Sequence, residues 1–254
     1  MSRKQRYAAD SSTKKSGTFL NQMTLKNSAQ EAYADLLQES IITFGCGPAE
    51  TGKTYIAAYY ALQALLNDEV RRVILTRPIV ATEDIGYLPG DMLEKIHPYI
   101  LPLLDAVEDH VGPTKAKELL NFGSIELIPL AYMRGRSLND SFIILDEAQN
   151  TTPEQMKMFL TRLGYNSKMV ITGDSSQSDL QVPMNGLRWA SERLKGTNPA
   201  IAVVEFAASN IVRNPLIEGM LAHLDMPPGS VRRREQHDGP GRLVDISRTS
   251  RLLA

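Results

Sequence analysis

The 254-residue chain has one cysteine, one tryptophan, 6% aromatic residues and no apolar run approaching the ~18 residues a membrane helix needs. A single cysteine, Cys46, excludes an internal disulfide and fits a reducing compartment. The charged opening MSRKQRYAADSSTKKSG is not followed by an apolar stretch, so no secretory signal is expected. The chain is therefore expected in the cytoplasm, away from membranes. Its histidines, His97, His110, His223 and His237, stand at no metal-ligand spacing. A strong overall charge is also missing, since the net value is -1. That balance hides an asymmetry: residues 1–26 carry six Lys/Arg against one acid, and residues 229–254 carry six Arg against three acids. What remains between them is acidic, with 16 basic and 25 acidic side chains. The expected organisation is a basic N-terminal segment over 1–23, one folded domain over 24–226, and a basic tail over 227–254. The basic arms suit contact with nucleic acid, and equally suit plain solvated tails.

Within the body, short β-branched or apolar runs alternate with helical segments. Strands are expected at Ile41–Gly45, Val73–Thr76, Ser124–Pro129, Phe142–Leu145, Lys168–Thr172 and Ala200–Phe206. Helices are expected at Tyr55–Leu66, around Asp91–His110, near Lys115–Leu120, and at Thr152–Leu163, Gly186–Leu194 and Pro215–Leu224. Thr152, Pro153 and Gln155 together form a helix-start signal. The alternation predicts an α/β fold, a mostly parallel sheet with helices on both faces.

The most specific motif is Gly47-Pro48-Ala49-Glu50-Thr51-Gly52-Lys53-Thr54, a G-x-x-x-x-G-K-[ST] phosphate loop between a predicted strand and a predicted helix. A polyphosphate needs many donors close together. Glycines let backbone N–H groups wrap it, and the following helix N-terminus adds favourable partial charge. Lys53 is expected on the β- and γ-phosphates, Thr54 on Mg²⁺, and Tyr55 beside the nucleotide. Glu50 is unusual, because a carboxylate turned inward would repel phosphate. Its side chain is expected to face water.

Ser141-Phe142-Ile143-Ile144-Leu145-Asp146-Glu147 reads as a buried strand ending in two acids at the carboxyl edge of the sheet, where ligands bind in such folds. Adjacent strand residues point to opposite sides, so the acids can divide their work. Asp146 is expected in the Mg²⁺ shell, and Glu147 is expected to orient or deprotonate the attacking water. A third edge motif, Gly173-Asp174-Ser175-Ser176-Gln177, offers Gln177 to the terminal phosphate or the water.

These stretches, with Leu75-Thr76-Arg77-Pro78, Gly86–Asp91, Met133-Arg134-Gly135-Arg136 and Ile143–Met156, resemble the PhoH family over residues 24–224. The resemblance implies a P-loop ATPase, associated with phosphate starvation and frequent in phages, whose core is similar to the first motor domain of superfamily-one helicases. It places Gln30, in Asn27-x-x-Gln30, where an adenine-reading glutamine is expected, and Gln177 in a helicase-like sensor. It also implies weight for Arg213. Glu50 departs from the glycine the family normally has. Motifs of a second motor domain are not seen in these residues, so a transition-state arginine is expected from Arg77, Arg134, Arg136 or Arg213, with Arg213 acting across a subunit interface as the first choice. The implied function is Mg-dependent ATP hydrolysis coupled to single-stranded RNA or DNA in a homo-oligomeric ring, such as a hexamer. The alternatives are a nucleotide-gated assembly protein with slow turnover, or an ATPase with associated ribonuclease activity.

Overall fold

A computed structural model of the chain describes residues 20–78, 92–180, 185–213, 216, 217 and 220. The Gly86–Asp91 motif, most of the expected Pro215–Leu224 helix, residues 1–19 of the N-terminal segment and the 227–254 tail lie outside the described residues. The chain divides into two compact units, residues 1–212 and 213–254.

The first unit holds six strands: β1 (Ile42–Cys46), β2 (Arg72–Thr76), β3 (Ile125–Leu127), β4 (Ser141–Leu145), β5 (Lys168–Gly173) and β6 (Ile201–Glu205). Its α-helices are α1 (Ser28–Glu39), α2 (Lys53–Leu66), α3 (Met92–Val111), α4 (Pro113–Asn121), α5 (Pro153–Leu160) and α6 (Gly186–Leu194). The strands form one sheet in the order β3-β2-β4-β5-β1-β6, and every pairing is parallel.

Strand alternation sorts the core into two layers. Val73, Leu75, Phe142, Ile144 and Val170 face one layer with Tyr33 and Leu37 of α1, Ile56 and Leu62 of α2, and Leu103 and Val107 of α3. Ile74, Ile143, Leu145, Met169 and Ile171 face the other with Met156 and Phe159 of α5 and Leu187 of α6. Helices thus cover both faces, which is why β4 is buried at all five positions.

The helix-start signal at Thr152 holds: its hydroxyl accepts from the Gln155 amide at 3.2 Å, and the Gln155 side chain returns to the Thr152 amide at 2.9 Å. Several boundaries differ from expectation, most by one or two residues. The helix after the phosphate loop starts at Lys53 rather than Tyr55, α5 ends at Leu160 rather than Leu163, and β3 has only three residues. Helix α1 and the short 3-10 turns at Leu130–Met133, Ala148–Asn150 and Ala208–Asn210 are not among the expected elements. Helix α1 begins at the Asn27 cap, whose side chain accepts the Gln30 amide at 3.0 Å.

Candidate functional site

The loop after β1 is glycine-dependent for steric reasons. Gly47 sits at φ +137°, and a β-carbon there would lie 2.3 Å from the Phe206 carbonyl oxygen. Gly52 caps α2 at φ +83°, where a β-carbon would lie 2.9 Å from the Gln30 side-chain nitrogen. The loop is braced from outside: Gln30 Nε2 donates to the Thr51 carbonyl at 3.0 Å, and the Gly47 amide donates to the Gly173 carbonyl at 3.1 Å. Helix α2 opens at Lys53 directly after the loop, and a helix start leaves its first N–H groups unpaired, the arrangement that binds anions.

Lys53 is buried, with Nζ donating to the carbonyls of Gly47 at 2.8 Å and Pro48 at 2.6 Å and to the Thr51 hydroxyl at 3.0 Å. Burial lowers its pKa from the usual lysine value, and the carboxylates of Asp174, Asp146 and Glu147 pull the other way. Glu50 occupies the left-handed region at φ +62° and is exposed on the rim, with its carbonyl accepting from the Val212 amide at 2.9 Å.

The acids arrive from two strands away. Asp146 follows β4, and its Oδ1 accepts the hydroxyls of Thr54, from the first turn of α2, and Thr172, from β5, each at 2.7 Å. Its backbone amide donates to the Thr76 carbonyl at 3.0 Å, and its Oδ2 lies 3.8 Å from Arg77 Nε. Glu147 takes the left-handed conformation at φ +52°, which turns its carboxylate towards two donors. Arg77 Nη2 donates to Oε1 at 2.6 Å, and Gln149 Nε2 donates to Oε2. Gln149 is buried, and its own carbonyl oxygen accepts the Asp174 amide at 3.1 Å.

A cavity of about 380 Å³ joins these groups. Lys53, Thr54, Arg77, Asp146, Glu147 and Gln177 contribute to its lining, together with Ala49, Glu50 and Gly52 of the loop. Across from them, α3 supplies Pro102, Asp105, Ala106 and Asp109. Tyr55 also lines the cavity, and its ring packs on His110 with centroids 4.1 Å apart. Burial pushes His110 below the ordinary histidine value, against the opposing effects of the Tyr55 carbonyl and Asp109.

The structure therefore brings Ala49, Glu50, Gly52, Lys53, Thr54, Tyr55, Asp146, Glu147 and Gln177 to one cavity, while Gly47, Pro48 and Thr51 are not in its lining. Gln30 is not in the lining: both ends of its amide are engaged by backbone, with Oε1 accepting from Lys26 N at 2.7 Å. Arg213 opens the second unit. Sequence reading gave no role to Gln149, Thr172 or Asp174. The signal available for Gln149 was its place two residues after Glu147 in a motif already singled out. Among the described residues no group of three or more His, Cys, Asp or Glu is arranged to hold a metal ion, and no helix is long and apolar enough to cross a membrane.

Known proteins resemble this chain over most of its length. The PhoH-like protein from Bacillus subtilis (strain 168) is 49% identical over 203 residues, covering 79% of this chain and 63% of the relative. The PhoH-like protein from Mycobacterium tuberculosis (strain H37Rv) is 52% identical over 190 residues, covering 74% of this chain and 54% of the relative. The chain thus spans between about half and two thirds of the length of these two relatives. Among solved structures, the HK97 bacteriophage large terminase aligns with a TM-score of 0.43 at 15% identity, over 80% of this chain and 43% of that one, a likeness too distant to speak to function. The profile of the PhoH-like protein family matches residues 22–225, and the chain belongs to that family.

Proposed function

We propose that the chain binds ATP with Mg²⁺ in this cavity and hydrolyses it. The observation that carries the reading is the convergence of Lys53, Thr54, Asp146 and Glu147 on one cavity, with the Thr54 hydroxyl 2.7 Å from Asp146. A hydroxyl and a carboxylate offer the hard oxygen donors that suit Mg²⁺, which keeps several other positions for water and phosphate. When bound, that ion supplies charge neutralisation on the phosphate oxygens.

The chain's own groups do the rest. Lys53 already points along the inner turn of the loop, where it would exchange the Gly47 and Pro48 carbonyls for phosphate oxygens. Those carbonyls keep the buried ammonium hydrogen-bonded, so the exchange starts from a satisfied group. Thr172 fixes the rotamer of Asp146 so that Oδ1 faces Thr54. Glu147 orients or deprotonates the attacking water. Gln177, exposed at the mouth, hydrogen-bonds that water or the terminal phosphate.

The reading extends to coupling with single-stranded RNA or DNA, supported by the basic segments flanking an acidic body, and to a homo-oligomeric ring in which Arg213 acts on a neighbour's nucleotide. Slow, nucleotide-gated turnover is the second reading, and one observation favours it: both oxygens of Glu147 are engaged. The central test is a pair of variants. Lys53→Ala should abolish nucleotide binding. Glu147→Gln should keep binding and lose on the order of 10²–10⁴-fold in turnover, the usual contribution of a general base. Unchanged hydrolysis by Glu147→Gln removes Glu147 from that role.

A further inference from the structure

Arg77 follows β2 directly, and β2 lies next to β4 with Thr76 opposite Leu145. That register sets Arg77 beside the acid pair, far from it in sequence and adjacent in space. Its guanidinium reaches both acids: Nη2 is 2.6 Å from Glu147 Oε1, and Nε is 3.8 Å from Asp146 Oδ2. The other oxygen of Asp146 receives the Thr54 hydroxyl at 2.7 Å. Thr54, Asp146 and Arg77 thus form one continuous line along the cavity, with Arg77 at the end away from the phosphate-loop helix. Its side chain is 20% exposed there, within reach of a ligand in the cavity.

The two grips on Glu147 differ in kind. Gln149 is buried and held at its other end by the Asp174 amide, so turning it away would strand a backbone donor. Arg77 carries several N–H donors on a planar fork that matches phosphate oxygens as well as it matches carboxylate. Of the two, Arg77 is the one that can change partner.

We infer that Arg77 reads the terminal phosphate of a nucleoside triphosphate by exchanging its Glu147 contact for a phosphate oxygen. The exchange leaves Glu147 held by Gln149 alone, with Oε1 available to a water molecule. A diphosphate, which lacks the group at that end of the line, leaves the Arg77–Glu147 pair closed. Arg77 is then an in-chain phosphate sensor that withholds the carboxylate until a triphosphate is present. The inference rests on the nucleotide-site reading above and adds to it how the site tells ATP from ADP.

The test measures equilibrium affinity on the full chain, with Mg²⁺ present, for a non-hydrolysable ATP analogue and for ADP. The proteins are wild type, Arg77→Ala and Arg77→Lys. Arg77→Ala should weaken the analogue by about tenfold or more, equivalent to roughly 1.4 kcal/mol, while ADP affinity stays within about twofold. Arg77→Lys should recover part of the loss, because it restores charge without the fork. The ADP affinity doubles as a folding control, and Arg77→Lys keeps the test alive if the alanine variant does not fold. Equal losses for both nucleotides would reduce Arg77 to a structural brace. Unchanged affinity for the analogue, with faster ATP turnover, would make it a restraint on Glu147 that never touches phosphate. Either result overturns the inference and leaves the nucleotide site intact. Failure of the wild type to bind either nucleotide defeats the site reading and this inference together.

Discussion

Replacing Glu50 by glycine separates two properties of the phosphate loop. Glu50 holds a left-handed backbone at φ +62°, on the exposed rim of the cavity. The left-handed conformation costs an L-residue roughly 1–2 kcal/mol, and glycine gives back about 0.5–1 kcal/mol through its greater freedom when unfolded. The net expectation for Glu50→Gly is a gain of about 0.5–1 kcal/mol, or roughly 1–4 °C in Tm for a domain of this size. The charge effect is separate. A carboxylate 4 Å from a phosphate charge costs about 1 kcal/mol in water, and salt screens it over about 8 Å under physiological conditions. Nucleotide affinity should therefore improve by less than about tenfold, the equivalent of roughly 1.4 kcal/mol. Glu50→Ala is the control, since it removes the charge and keeps the β-carbon: affinity should match the glycine variant without the gain in Tm. The assays are thermal melts and nucleotide titrations at low and physiological salt. An affinity gain above tenfold that salt suppresses would show the carboxylate facing the phosphates. A glycine variant less stable than the alanine variant would refute the backbone argument.

Three other outcomes are expected. The Tyr33 hydroxyl is buried with no hydrogen-bond partner among the described residues, so Tyr33→Phe should be neutral or stabilising by up to about 1 kcal/mol in denaturant melts, and a loss of 2 kcal/mol or more would reveal a partner. Burial lowers the pKa of His110 in the folded state, so protonation favours unfolding and stability should fall as pH drops through about 6.5, by at most about 1.4 kcal/mol per unit; His110→Phe should flatten that slope between pH 7.5 and 5.5, and parallel slopes would count against it. If Arg213 acts across a ring interface, mixing inactive Lys53→Ala with inactive Arg213→Ala should restore part of the ATPase activity, whereas exchanging subunits that stay inactive would exclude the trans role.

The parts of this protein legible in sequence are those whose chemistry is local. The phosphate loop declares itself through glycines that no other residue can replace, as the 2.3 Å approach at Gly47 shows. The capping pair Thr152 and Gln155 is three residues apart and fixes a helix start by itself. Helix α1 escaped because its buried stripe of Tyr33, Ala34 and Leu37 includes Gln30, a polar residue where periodicity expects an apolar one. The reason for Gln30 lies 21 residues away, at the Thr51 carbonyl. Arg77 could be placed at the active edge, but its partner Glu147 is 70 residues distant and becomes a neighbour only because β2 pairs with β4. Strand order is a property of the whole sheet, and no short window of sequence contains it.

The strand order also explains why the site needs Thr172. Between the phosphate-loop strand β1 and the acid strand β4 lies β5, so the two motifs are separated by two strand spacings, about 9.6 Å. Helix α2 bridges part of that distance by carrying Thr54 over the sheet edge. Asp146 covers the remainder, and its carboxylate must lean across the tip of β5. Thr172 sits at that tip, fully buried, with a hydroxyl that receives the lean and a side chain too short to block it. On the opposite side of β4, Arg77 and the Thr76 carbonyl hold Asp146 from β2. The acid pair is thus positioned by the strands on both sides of its own, and each neighbouring tip brings a different reporter: Arg77 from β2, and Asp174 from β5 through Gln149. A displacement at the β2 tip would reach Glu147 through Arg77, and one at the β5 tip would reach it through Gln149 and would also reach the phosphate loop, through the bond from the Gly47 amide to the Gly173 carbonyl. Glu147 is thus the acid whose contacts come from both neighbouring tips, while Lys53 is linked to the β5 tip alone, through Gly47.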